Sequence, residues 1–377
     1  MLDRRDRAAA GLSERLRLKA ADMRGPTSSP LYALLLDAAA ADVDAGGVAL
    51  EILRPHAGEP RGSALALRFL SAVHRLVLAG HAPQLARHYP SAGGREPPES
   101  AWQAFRDVLE AHPEEVGAAL ARPCQTNEAG RCAALLPGFL AIAREHGPAL
   151  RILGLGASAG LNLNWDRYRY EGDGWAWGPP RARLRIAGVS DRMPGHDADV
   201  RVVERAGCDT APLDPADEDT RLTLRAAIWP ERVDRLKRLD AALAVAREHP
   251  PPVERADAVH WLERRLARPA DGCTTVVLHS IVWQYLTPAD RERLRALLAA
   301  TGARATAAAP LAWLHLEPAG DGRTAVTLTT WPGRERVVAR SGFHGRPSSS
   351  RARTRTRRRR RAGTPARAGC GCGADQG

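Results

Sequence analysis

The sequence predicts an α/β fold: a mostly parallel sheet closed by an antiparallel hairpin, with an all-helical region ahead of it. Three observations carry this. Residues 150–166, LRILGLGASAGLNLNWD, pass from a short apolar run through small residues only (Gly156, Ala157, Ser158, Ala159, Gly160) into a helix-compatible segment. Strand, small-residue turn, helix start is the grammar of a nucleotide-type binding loop. From Leu150 onward, apolar runs of strand length alternate with helical patterns, as in a βα sheet. Two last alternating segments, 324–330 and 335–341, are joined by Pro332-Gly333 and read as a hairpin. The implied division is a helical region over 1–122, an α/β domain over 123–345 and an Arg-rich tail over 346–377.

Taken in order, residues 3–24 place apolar side chains at helical spacing among Arg and Glu, and the Pro26–Pro30 stretch breaks that helix. Residues 31–44, 63–80 and 100–121 read as further helices, separated by Pro/Gly-rich segments. Strands are expected at 150–155, about 200–208, 253–256, 274–280 and 310–316, with helices at 157–165, 218–248, 258–267 and 288–301. The run TTVVLHS (274–280) is almost wholly apolar, as expected of a strand buried on both faces. The insertion between Asp166 and Asp199 is rich in Trp, Tyr and Gly. It reads as a small β-flap or satellite core in which the aromatics bury one another. After Gly345 periodicity ends in blocks of Arg that cannot form a core, so the tail is expected to be disordered.

The net charge of +12 suggests nucleic acid until it is located. From Arg346 on there are ten Arg against one Asp, a net +9, which leaves +3 for the body. Nucleic-acid binding is therefore expected, if at all, through the tail alone, and an out-of-frame G+C-rich end is the simpler reading of it. The six Cys show neither zinc-finger nor redox spacing beyond a weak C-x-C in the tail, so no metal site is expected. The charged N-terminus lacks a signal-peptide core and no run reaches the length of a membrane span, which points to the cytoplasm.

Ligands of open α/β sheets bind beyond the carboxyl ends of the strands, so the residues just past each strand are the candidates. After the first strand stand Gly154, Gly156, Ala157, Ser158, Gly160 and Asn162, a loop whose small side chains allow close backbone approach. As G-x-G-x-x-A the loop fits a dinucleotide fingerprint, which would make the protein an NAD(P)-dependent oxidoreductase. After the second strand Asp209 is placed to accept ribose hydroxyls, and after the third Asp257 to meet an adenine amino group. Both have a capping alternative. After the fourth come His279, Ser280 and Tyr285, and after the fifth His315 and Glu317. Upstream, Asn127, Glu128 and Arg131 form a polar knot before a helix. Glu128 and Arg131 either pair with each other or serve the site, Glu128 and His279 as catalytic groups and Asn127, Arg131 and Tyr285 as substrate contacts.

The spacing x-x-G-x-S-x-G (Gly156, Ser158, Gly160) looks like the first motif of class I S-adenosylmethionine-dependent methyltransferases. Five βα-type strands with a closing antiparallel pair likewise resemble that family's Rossmann-like sheet. Together TNEAGRCAALLPG, LGLGASAGLNLNWDRY, RAGCDTAPLD, RAAIWPERVDRL and VVLHSIVWQYL resemble a bacterial family, common in actinobacteria, known only as a domain of unknown function. That resemblance runs from about Pro30 to Gly345. Membership of that family implies no established activity; the methyltransferase resemblance of the loop and sheet is what implies S-adenosylmethionine as cofactor and a small-molecule methyl acceptor. Gly154 stands where the methyltransferase pattern has an acid that contacts the cofactor's amino-acid portion. A non-catalytic scaffold, with the helical region recruiting a partner, is the alternative from another class.

Overall fold

The computed structural model describes residues 4–25, 29–122, 125–189 and 193–345; the disorder and nucleic-acid binding expected of the tail lie outside these residues. The helical region comprises α1 (Arg4–Asp22), α2 (Pro30–Asp44), α3 (Val48–Leu53), α4 (Leu65–Leu78), α5 (Pro83–Ala86), α6 (Ala101–Ala111) and α7 (Pro113–Leu120). Residues at helical spacing drive it: α1 buries Leu12, Leu16 and Ala20, and α4 buries Phe69, Leu70, Val73 and Val77. Ser29 caps α2 by accepting the Tyr32 amide, and Pro30 fills the first turn, where no amide partner is missed. The expected helix over 100–121 is two. Pro113 opens the second, and the residue before a proline is pushed out of helical geometry, as His112 (φ −131°) is.

The α/β part runs α8 (Arg131–His146), β1 (Ala149–Leu155), β2 (Arg169–Gly172), β3 (Trp175–Trp177), β4 (Arg185–Ala187), β5 (Arg201–Asp209), α9 (Glu218–Ala226), α10 (Val233–Glu248), β6 (Val253–Arg255), α11 (Ala258–Leu266), β7 (Thr274–Ser280), α12 (Pro288–Gly302), β8 (Leu311–Pro318), β9 (Thr324–Trp331) and β10 (Glu335–Ser341). Seven strands form one sheet in the order β10-β9-β8-β7-β1-β5-β6. The five from β6 to β8 are parallel, and β9 and β10 close the edge antiparallel. Within this sheet the chain winds outward in both directions from β1, the doubly wound Rossmann-like order, so the switch point lies between β1 and β7. β7 is buried along six of its seven residues, as its apolar run requires.

Two expectations are corrected here. The helix foreseen over 218–248 breaks at Trp229-Pro230 into α9 and α10. The α-helix foreseen over 157–165 does not form; a 3₁₀ helix spans Leu161–Arg167 instead. Leu161, Leu163 and Trp165 recur every second residue, a poor match to a 3.6-residue turn, yet all three are buried. Ser158 and Gly160 hold left-handed backbone (φ 54° and 70°), which a helix cannot accommodate. The aromatic insertion packs as expected: β2, β3 and β4 form a small sheet. Trp165 lies flat on Phe139 at 3.8 Å and on Trp177 at 5.3 Å.

Candidate functional site

A cavity of about 350 Å³ opens at the carboxyl ends of β1, β5, β6 and β7. This is the crevice where a doubly wound sheet binds its ligands, and the volume lies in the range of small-molecule pockets. Gly154, Gly156, Ala157, Ser158, Asn162, Asp209 and Asp257 line it, as do Asn127, Arg131, His279 and Tyr285. Of the residues singled out from the sequence, Glu128, Gly160, His315 and Glu317 are not in its wall.

The loop after β1 is held from behind by its neighbours. Asp209 accepts the Ser158 amide (2.8 Å) and the Ala211 amide (2.9 Å) with its two oxygens. The Ala157 amide donates to the Cys208 carbonyl, the Gly160 amide to Ala157, and the Leu161 amide to Asn127 Oδ1 (2.9 Å). Ser158 Oγ donates to Gln125 Oε1, and Gln125 Nε2 donates to the Ala211 carbonyl. Its glycines admit side chains rather than exposing bare backbone. A Cβ on Gly154 would stand 2.7 Å from Leu163, one on Gly156 2.6 Å from Val282, and one on Gly160 2.5 Å from Pro251. With no α-helix start and most amides engaged, the loop is not the open anion cradle the sequence suggested.

Asp257 caps α11 by accepting the Val259 and His260 amides and lines the cavity at the end of β6, beside Asp209 on the neighbouring strand. Partial burial works to raise its pKa, but hydrogen bonds from His260 and Val259 hold it below the ordinary value. Asp290 joins it at the rim, beside Tyr285, which is 69% exposed. Asp257 thus caps α11 and lines the cavity at once.

The two groups expected to be catalytic are occupied. His279 Nε2 accepts the Trp313 indole N–H at 3.0 Å, which leaves Nδ1 as the protonated nitrogen that donates to Glu317 Oε1 at 2.8 Å. Its ring is 2% exposed and stacks on His315 with centroids 5.0 Å apart. Neither nitrogen is open to a substrate. Glu128 does not pair with Arg131 either. Its carboxylate lies beneath the cavity, accepting Arg235 Nε (2.6 Å), Arg238 Nη1 (3.2 Å) and the Gly130 amide (2.9 Å). Burial works to raise its pKa, but the two guanidinium groups outweigh this and hold it low. The cysteines at the site are inert for the same reason in reverse: burial raises the Cys132 thiol and pushes Cys208 up to about 12.

Several contributors were not singled out from the sequence. Gln125 and Val282 flank the loop, and Arg235 and Arg238 sit in an ordinary-looking charged helix more than a hundred residues from Glu128. Ile281 carries the strongest unread signal. A β-branched residue rarely adopts left-handed backbone, yet its φ is 56°, and Ser158 across the crevice has φ 54°. The turn at Ile281 aims the Val282 and Trp283 amides at Glu317 Oε1, at 3.0 and 3.2 Å. Strain of this kind on both lips of one cavity is characteristic of functional sites.

Among the described residues, no helix is long and apolar enough to cross a membrane, and no group of three or more His, Cys, Asp or Glu is placed to hold a metal ion. No curated protein and no solved structure matches the chain. A family model does match it, over residues 13–349: the chain belongs to the family described as uncharacterized protein conserved in bacteria (DUF2332).

Proposed function

We propose that the chain binds S-adenosylmethionine in the β1–β7 crevice and transfers its methyl group to a small-molecule acceptor. The observation that carries this reading is Asp209 at the end of β5, hydrogen-bonded to the loop and lining the cavity beside Asp257 at the end of the neighbouring strand. Each carboxylate oxygen of Asp209 holds one amide and keeps capacity for a second donor, which a ribose hydroxyl supplies. In this reading Asp257, which lines the cavity next to Asp209, takes the adenine amino group. A dinucleotide would need free amides for its diphosphate, and the loop spends its amides internally, which favours a phosphate-free cofactor over NAD(P).

The Gly154 departure has a steric cause. Leu163 fills the space an acidic side chain would need there, so the cofactor's amino-acid end has to be held by other groups. The cofactor supplies an activated methyl group: the acceptor's lone pair bonds to carbon as the carbon–sulfur bond breaks. The chain's part is to align the two and exclude water, because its buried His279 and Glu128 offer no base. Calorimetric titration of the full chain with S-adenosylmethionine, its demethylated product and NAD⁺ tests this. Binding of the first two, weakened by Asp209→Ala, is the expected result. Heat from NAD⁺ alone, or none from any of the three, overturns it.

A further inference from the structure

Arg131, at the start of α8, is 93% removed from solvent and lines the cavity. Its Nε donates to the Phe343 carbonyl (3.1 Å), and its Nη1 to the Ser280 carbonyl (3.2 Å) and hydroxyl (3.4 Å). Among the described residues, the Nη2 donors of the guanidinium have no partner and no carboxylate lies within ion-pair distance. Glu128 and Glu317, the two that act on it electrostatically, are engaged elsewhere: Glu128 with Arg235 and Arg238, Glu317 with His279 and two amides. Arg235 adds further positive charge from behind and, with burial, lowers the Arg131 pKa. A buried, unpaired guanidinium is a costly arrangement that an anion relieves. The Phe343 and Ser280 bonds fix its orientation, so the Nη2 donors are held in one geometry for a charge-assisted hydrogen bond to an anion.

We infer that Arg131 is the anion anchor of this crevice and takes a carboxylate of the bound ligand on its free Nη2 group. The acidic residues Asp209, Asp257 and Asp290 line the other end, so the cavity suits a ligand with hydroxyl or amino donors at one end and a carboxylate at the other. The identity of the carboxylate's owner rests on the cofactor reading above; the anion site itself does not. The carboxylate belongs either to the cofactor's amino-acid portion or to the acceptor.

The test uses the full chain at constant ionic strength. Thermal unfolding is followed with millimolar benzoate and with benzamide, its uncharged counterpart, and repeated with Arg131→Lys and Arg131→Gln. Stabilisation by benzoate but not benzamide, lost in Arg131→Gln and weakened in Arg131→Lys, supports the anchor. Equal response to the two compounds, or an unchanged benzoate response in Arg131→Lys, overturns it; this comparison holds even if Arg131→Gln does not fold. Calorimetry with S-adenosylmethionine and 5′-methylthioadenosine then assigns the source. A loss of about tenfold or more in Arg131→Lys for the first compound only places the cofactor's carboxylate on Arg131. No loss for either compound, with benzoate binding beside methylthioadenosine abolished, places the acceptor's there. Benzoate binding without either adenosine compound keeps the anchor and removes the cofactor reading.

Discussion

The Asp209 carboxylate holds the Ser158 amide at 2.8 Å, tying the end of β5 to the one loop residue with left-handed, non-glycine backbone. That bond pins the strained turn against the crevice. Asp209→Ala removes the acceptor of two amides, so unfolding in urea should show a loss of about 1–3 kcal/mol. Ligand affinity at the crevice, read by calorimetry, should fall along with it. Unchanged stability with the loop still ordered would separate Asp209 from loop support.

Glu128 lies in the floor between Arg235 and Arg238, with side-chain exposures of 4%, 4% and 18% for the three. Removing one partner of a buried ion pair leaves an uncompensated charge. Glu128→Gln is expected to cost about 3–5 kcal/mol in denaturant unfolding. A catalytic Glu128 would show the opposite pattern, lost turnover with stability intact.

His279 predicts a converse result. Trp313→Phe deprives His279 Nε2 of its donor while leaving the cavity wall in place. A loss of about 1–2 kcal/mol with unchanged ligand affinity is expected, from paired thermal unfolding and calorimetry. A fall in affinity with no change in stability would return His279 to the site.

One buried histidine, His74, and two half-buried ones, His315 and His344, set the acid limit. Burial lowers His74 to about 4, with the Ala226 carbonyl opposing and Arg225 adding to the fall; His315 is lowered to about 3 and His344 to about 4. The unfolded chain takes up these protons near pH 6.5, whereas the folded chain resists them down to about 4. Stability is therefore full above about pH 6.5 and is lost as pH falls from there towards 4. His74 alone contributes on the order of 3 kcal/mol to that loss. Urea midpoints measured from pH 7.5 to 4.5 should fall steeply, and His74→Gln should flatten the slope.

Much of the fold was legible because its strands are short apolar runs whose periodicity differs from that of the flanking helices. All seven strands of the main sheet lie where the pattern put them, 150–155 against Ala149–Leu155 and 274–280 against Thr274–Ser280. The helix expected after Gly160 failed because alternation at Leu161, Leu163 and Trp165 was read as helix-compatible when those side chains fill three separate gaps. At the site, position after a strand identified the cavity wall, but partner choice was invisible. Glu128 and Arg131 are three apart and look paired, whereas a guanidinium from α10 takes the carboxylate. Residue type likewise put His279 among the reactive groups, and only the neighbouring indole and carboxylate show both its nitrogens spent.

Gly345 approaches the Gly130 backbone so closely that a Cβ there would stand 2.0 Å from the Gly130 carbonyl oxygen, and its φ of 79° already excludes most side chains. Gly345→Ala should therefore cost at least about 1–3 kcal/mol in unfolding experiments, and the Arg131 end of the crevice should loosen with it. Two residues earlier, the Phe343 carbonyl steadies Arg131. The ribosome delivers residues 343–345 only after every residue that lines the pocket has been made. A nascent chain therefore has an Arg131 without its carbonyl brace until the ribosome has passed residue 343.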